Sequence, residues 1–162
     1  MLTRILAITC CINGIFCFCL SSVNAQEKER IQWLTFEQLE DSLDVNPRPV
    51  FIDFYTEWCT YCRKMDKVVF TKDPVINVLN ESYYSVRFDA ESEDEVIFGG
   101  RTFINGQVGE SRNPVHQIAQ LLALRDGQFV PPTLVLLDTS FNVTARYFEY
   151  LDSQQLLKML KP

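Results

Sequence analysis

The chain has 162 residues, of which 47% are hydrophobic and 22% charged, with a net charge of -6. That length suits one domain of ordinary size, with a core large enough to fold without disulfides. The acidic balance, without any basic cluster, excludes nucleic acid as an expected partner. A disulfide scaffold is excluded by position. Of the six cysteines, Cys10, Cys11, Cys17 and Cys19 crowd one apolar stretch near the N-terminus, and only Cys59 and Cys62 lie beyond it.

Residues 1–25 read as an export signal. Arg4 supplies the positive start, 5–20 form an apolar run, and Val23-Asn24-Ala25 offers a cleavage site. The run is shorter than the ~20 apolar residues that span a bilayer comfortably, so cleavage is favoured over an uncleaved anchor. A lipoprotein is disfavoured, because Ala7-Ile8-Thr9 before Cys10 and Phe16-Cys17-Phe18 before Cys19 fit a lipobox poorly. Cleavage near Ala25 would leave residues 26–162 as an acidic domain with no stable membrane insertion, in a compartment where disulfides persist.

The elements follow in order. Residues 31–33 suit a short strand, and Thr35 with Gln38 has capping-box spacing for a helix carrying Phe36, Leu39 and Leu43. Asn46-Pro47-Arg48-Pro49 ends it. The nearly unbroken apolar run 50–55 reads as a central strand covered on both faces. A helix is expected over 58–70, then another with Asp73 at its cap and Pro74 in its first turn, then a strand over 83–88. The acidic run 91–95 reads as a solvated loop rather than a metal site. A small hairpin follows around Gly99-Gly100, then a loop over 105–113 and a helix over 114–124. Strands over 134–137 and 143–148 and a helix capped by Ser153 complete an α/β domain.

Cys59-Thr60-Tyr61-Cys62 carries the chemistry. Two cysteines at this spacing at the start of a helix can close a small disulfide ring. Unpaired N–H groups and the helix dipole stabilise a thiolate at the first position. The second thiol can then resolve a mixed disulfide. Zinc needs more ligands than Cys59, Cys62 and the distant His116 provide, so no metal is expected. His116 itself reads as a helix-face residue.

The stretch from Phe51 to Cys62, with its Asp-Phe-aromatic-x-Glu-Trp-Cys pattern, resembles the active-site strand and helix of the thioredoxin family. Met65 to Phe70 followed by Asp73-Pro74-Val75-Ile76 is similar to domains like the C-terminal part of the thiol:disulfide interchange reductase DsbD. The resemblance implies a thioredoxin fold: a central mixed β-sheet flanked by helices, with an insertion near 91–127 before a cis-proline strand. It implies that Asp53 is a buried carboxylate assisting proton transfer at Cys62. Pro132, in Val130-Pro131-Pro132-Thr133, would be the cis-proline facing the cysteine pair. Pro131 departs from the family pattern, having no N–H to offer a substrate strand. Trp58 would shield the site, Tyr61 would pack on a partner, and Arg87 loosely matches a basic position near the buried aspartate.

These readings converge on an exported, periplasmic enzyme without cofactor. It would exchange disulfides with protein substrates and be recharged by a membrane thiol-disulfide electron donor. The absence of histidine between the cysteines favours a reductase, while Arg63 and Lys64 push weakly the other way. The alternatives are an oxidase or isomerase on the same fold, a non-catalytic binding module, and metal carriage.

Overall fold

Turn and capping chemistry sets the element ends in the computed structural model, which describes residues 29–161. The export signal and its cleavage site lie outside the described residues. Strand β1 (Trp33–Leu34) leads into helix α1 (Phe36–Val45), whose expected capping box is present. Thr35 Oγ1 accepts from the Gln38 N–H at 3.2 Å, and Gln38 Oε1 accepts from the Thr35 N–H at 3.0 Å. Such a cap stabilises a helix by about 1 kcal/mol. Next come β2 (Val50–Tyr55), α2 (Thr60–Val68), α3 (Asp73–Ser82) and β3 (Tyr84–Asp89). Helix α3 begins one residue differently from expectation: Lys72 holds the cap position and Asp73 is the first helical residue, with Pro74 beside it.

Between β3 and the next strand of the main sheet lie a hairpin of β4 (Val96–Phe98) and β5 (Arg101–Phe103), helix α4 (Gln117–Leu122), and a second hairpin of β6 (Leu124–Arg125) and β7 (Gln128–Phe129). The chain finishes with β8 (Thr133–Leu137), β9 (Val143–Tyr147) and α5 (Ser153–Met159). Asp152, not Ser153, caps α5, accepting from the N–H groups of Gln154 and Gln155 while Gln155 reaches back to its backbone.

The main sheet runs β1-β3-β2-β8-β9, parallel among the first three strands and antiparallel from β2 to β8 and β9. This is the expected mixed sheet. Alternation along the central strand separates two cores. Phe51 packs with Met65, Val69, Ile76, Leu79 and Leu156 from α2, α3 and α5. Val50, Ile52 and Phe54 face Phe36, Leu39 and Ile118 from α1 and α4. Strand β2 is therefore buried on both sides, which is why its sequence carries no polar alternation.

Two differences concern the segment before β8. The helix expected over 114–124 shrinks to α4, because Val115 gives its backbone N–H to Gln107 Oε1 and its carbonyl to Gln120 Nε2 instead of entering a helical ladder. His116 is consequently the α4 cap rather than a residue on its face: the buried ring accepts from the Ile118 N–H through Nδ1 at 3.2 Å. The β6–β7 hairpin was not expected, although Asp126-Gly127, with φ of 52° and 77°, is a favoured pair for its tight turn. The stretch expected as an insertion is thus partly structural core, since Ile118 and Ala119 belong to the α1-side cluster.

The β4–β5 hairpin is clipped to α1 by two carboxylates one turn apart. Glu37 Oε1 accepts from the Ile97 N–H at 3.0 Å and Glu40 Oε1 from the Gly99 N–H at 3.1 Å. Removing one clip should free the hairpin without unfolding the domain. Glu37→Ala is expected to speed amide exchange at Ile97 at least tenfold while changing global stability by about 1 kcal/mol. Unchanged Ile97 exchange, read by hydrogen–deuterium NMR, would contradict the clip.

Candidate active site

Strand β2 ends at Tyr55, and a turn through Thr56 delivers Cys59 to the N-terminus of α2, where it is the cap residue. The Cys59 N–H donates to the Thr56 carbonyl at 3.1 Å. Cys59 and Cys62 are joined by a disulfide with a Cα–Cα separation of 5.3 Å, and both are buried. Cys59 Sγ also accepts from the Cys62 N–H at 3.0 Å, so one of the unpaired N–H groups of the helix start is already directed at the sulfur. The same N–H favours negative charge there when the bond is open.

The two cations next to the motif are turned to other work. Arg63 donates to the Glu57 carbonyl and to Thr60 Oγ1, stapling the turn that precedes the helix. Lys64 lies over the Tyr150 ring, 4.4 Å from its centroid. The exposed Tyr61 leans on the same Tyr150 ring at 6.0 Å. On the other side of the disulfide, Trp58 is 54% exposed, so it borders the site more than it covers it. Its Nε1–H is shared by both oxygens of Glu91 at 3.0 Å.

Asp53 is the charged residue of the central strand and is 2% exposed. It stands directly opposite Arg87 in the parallel β2–β3 register, so the two side chains emerge on one face of the sheet. Arg87 Nε donates to Asp53 Oδ2 at 3.2 Å, and its Nη2 donates to Asp66 Oδ2 at 2.7 Å. Asp66 lies on α2 one turn after Cys62, which ties the buried carboxylate to the helix that carries the thiols. The guanidinium also covers the Tyr55 ring at 4.0 Å. Burial raises the Asp53 pKa to about 7, Arg87 pulling it down and Asp66 pushing it up. Asp66 is raised as well, by burial opposed by Arg87.

The peptide bond between Pro131 and Pro132 is cis. Thr133 Oγ1 closes this turn by donating to the Val130 carbonyl at 2.7 Å. Thr133 pairs with Phe54, so the two prolines sit at the end of the sheet from which β2 departs toward Cys59. His116 is elsewhere: it stacks edge-on against Phe88 with centroids 5.0 Å apart, in the α1–α4 layer across the sheet from α2. Among the described residues no group of three His, Cys, Asp or Glu side chains is placed to hold a metal ion. Sequence reasoning missed Asp66 and Glu91. Both partners are set by tertiary packing, and only the loose match of Arg87 to a basic position near the buried aspartate pointed to the cluster of Asp53, Arg87 and Asp66.

A family model described as thioredoxin-like matches residues 32–138. Over 63 residues the chain is 30% identical to the thiol:disulfide interchange protein DsbD of Campylobacter jejuni, a match covering 38% of this chain. It spans only 11% of that relative's length. Among solved structures, a thioredoxin from Thermus thermophilus superposes with a TM-score of 0.58 at 19% identity, covering 81% of this chain and 85% of that one. The reduced C-terminal domain of Neisseria meningitidis DsbD superposes with a TM-score of 0.50 at 15% identity, covering 75% of this chain and 87% of that one. At these identities the structural likeness is one of fold.

The cluster of buried Asp53 with the half-buried Arg87 and Asp66 sets a pH dependence of stability. A carboxyl raised from 3.8 to about 7 keeps its proton in the folded state where the unfolded chain has lost it. Its contribution is therefore fullest below pH ~4 and declines as pH rises toward ~7. His116, lowered by burial, works in the opposite sense, so the Asp53 part is isolated by difference. Relative to the unaltered chain, Asp53→Asn should gain stability between pH 5 and pH 8, by about 1–3 kcal/mol in denaturant titrations. Arg87→Met should do the reverse, losing most at pH 8, where Asp53 would be an unpaired buried charge. Parallel pH curves for all three proteins would contradict the coupling.

Proposed function

The chain belongs to the thioredoxin-like family, and on that premise we propose that it is an exported thiol:disulfide oxidoreductase that reduces protein disulfides through Cys59 and Cys62. One observation carries the reading: the Cys59–Cys62 disulfide stands at the start of α2, and Arg87 links that helix to the buried Asp53. A static structural disulfide would need no titratable group held near neutrality in the strand that leads to it.

In the reduced protein, the Cys59 thiolate attacks one sulfur of a substrate disulfide and expels the other as a thiolate. Asp53 takes the proton from the Cys62 thiol, and Cys62 then attacks Cys59 Sγ. This closes the Cys59–Cys62 bond and releases the second substrate thiol. Two electrons pass from the chain to the substrate, and a dithiol donor must restore them. The resemblance to a thiol:disulfide interchange protein supports a thiol-transfer protein as the donor class, and the export we propose calls for a membrane-borne one. Trp58, Tyr61, Pro131 and Pro132 form the rim that meets the substrate. Export rests on the composition of residues 1–25. Among the described residues no helix is long and apolar enough to cross a membrane.

The reducing direction follows from charge. Strong oxidants stabilise the thiolate of their reduced form. Here no histidine stands between the cysteines, Arg63 is drawn to the Glu57 carbonyl and Lys64 to the Tyr150 ring, and the Arg87 charge on the α2 side of the sheet is taken up by Asp53 and Asp66. A potential below about -220 mV is expected, and one near -120 mV would identify an oxidase instead. Cys59→Ser should abolish insulin-disulfide reduction, whereas Cys62→Ser should accumulate a mixed disulfide on Cys59, visible by non-reducing electrophoresis. Asp53→Asn should slow turnover about 10- to 100-fold at pH 7, the size of a lost general base.

A further inference from the structure

A groove of about 620 Å³ opens beside Trp58, walled largely by the segment between β3 and β8. Its lining is mixed, with Val115 and Phe129 on the apolar side and Gln107, Gln120 and Glu91 on the polar side. The two glutamines are fixed by one residue. Gln107 Oε1 accepts from the Val115 N–H at 3.0 Å, and Gln120 Nε2 donates to the Val115 carbonyl at 2.6 Å. Because each inner atom meets a backbone group of known polarity, the amide orientations are unambiguous. The outer atoms are then a donor, Gln107 Nε2, and an acceptor, Gln120 Oε1, neither hydrogen-bonded to another described residue. One donor and one acceptor, both anchored through Val115, match the carbonyl and N–H of an extended peptide.

The groove also has a sign. Glu91 is its one charged lining residue, and no described cation pairs with it. Its two oxygens share a single indole N–H, leaving lone pairs for a second donor. The half-exposed Trp58 ring beside it offers a π face, which also favours a cation. Pro131, at the neighbouring turn, has no N–H for a substrate strand, so backbone recognition is needed from another quarter.

We propose that this groove binds an extended peptide segment bearing a lysine or arginine, adjacent to the disulfide of the protein substrate, with its backbone held by Gln107 and Gln120 and its basic side chain by Glu91 and Trp58. The inference rests on the thiol–disulfide reading for its purpose, but binding itself is independent of the redox step. The full chain is therefore titrated by calorimetry with a short, linear, cysteine-free peptide carrying one lysine. Saturable binding is expected. Replacing the peptide lysine by glutamate should weaken it about tenfold, and Glu91→Gln, which still accepts from Trp58, should erase that discrimination. Gln107→Leu should weaken both peptides about fivefold, with circular dichroism and the melting temperature showing that the fold is kept. No binding, equal affinity for the lysine and glutamate peptides, or unchanged discrimination in Glu91→Gln would overturn the assignment. Insulin reduction by the same unaltered chain is measured alongside. Its absence with peptide binding intact would overturn the redox reading and leave the groove standing.

Discussion

A carboxylate in the middle of a strand covered on both faces must find a partner or keep its proton, and Asp53 does some of each. The partner is Arg87, delivered by the β2–β3 register rather than by any local motif. Shifting that pairing by one residue would turn Arg87 to the opposite layer and bury Asp53 alone. It would also turn Val86 and Phe88, which pack in the α1-side core, to the opposite face. The ladder that places the ion pair and the ladder that sorts the core are the same, so neither can be altered separately.

Arg87 also reaches Asp66, and this makes the strand and the helix of the site one electrostatic unit. Two carboxylates around one guanidinium cannot both be fully neutralised by it. Burial dominates at Asp53, which is why its proton is held to about pH 7 despite the cation at 3.2 Å. A buried pair of this kind is weak evidence of stabilisation, because desolvation offsets the attraction. What the arrangement provides is a group near neutrality, tied through Arg87 and Asp66 to the helix that carries the cysteine pair.

The sheet and most helices were legible because their signals are local: the capping box at Thr35, the two-faced apolar run of β2, and the Pro-bearing start of α3. The cysteine pair was legible for the same reason, as was the prolyl turn from its resemblance. What escaped is non-local. Val115 and His116 have helical neighbours in sequence, yet side chains eight and five residues from Val115 compete for its backbone groups and delay α4. The Asp126-Gly127 turn signal was present but sat at the end of an apolar periodicity that read as helix. Glu91 looked like one of several solvated acids, and only the fold shows the indole that singles it out.

These exceptions fall in one place, the crossover between β3 and β8. Because β2 lies between those strands in the sheet, the chain must pass over a face to reach β8, and α4 serves that passage by filling the α1-side core. The remaining crossover residues are free of that duty. The first hairpin is held on α1 by Glu37 and Glu40, away from the thiols. The loop and second hairpin instead border Trp58, where Gln107 and Gln120 are locked onto Val115. Holding two amides in place by their inner atoms leaves the outer ones preorganised, so little side-chain entropy remains to be lost when a ligand engages them. The departure from helix at Val115 is thus a local irregularity that shapes the groove, and it brings the crossover to Trp58, the residue before the cysteine pair.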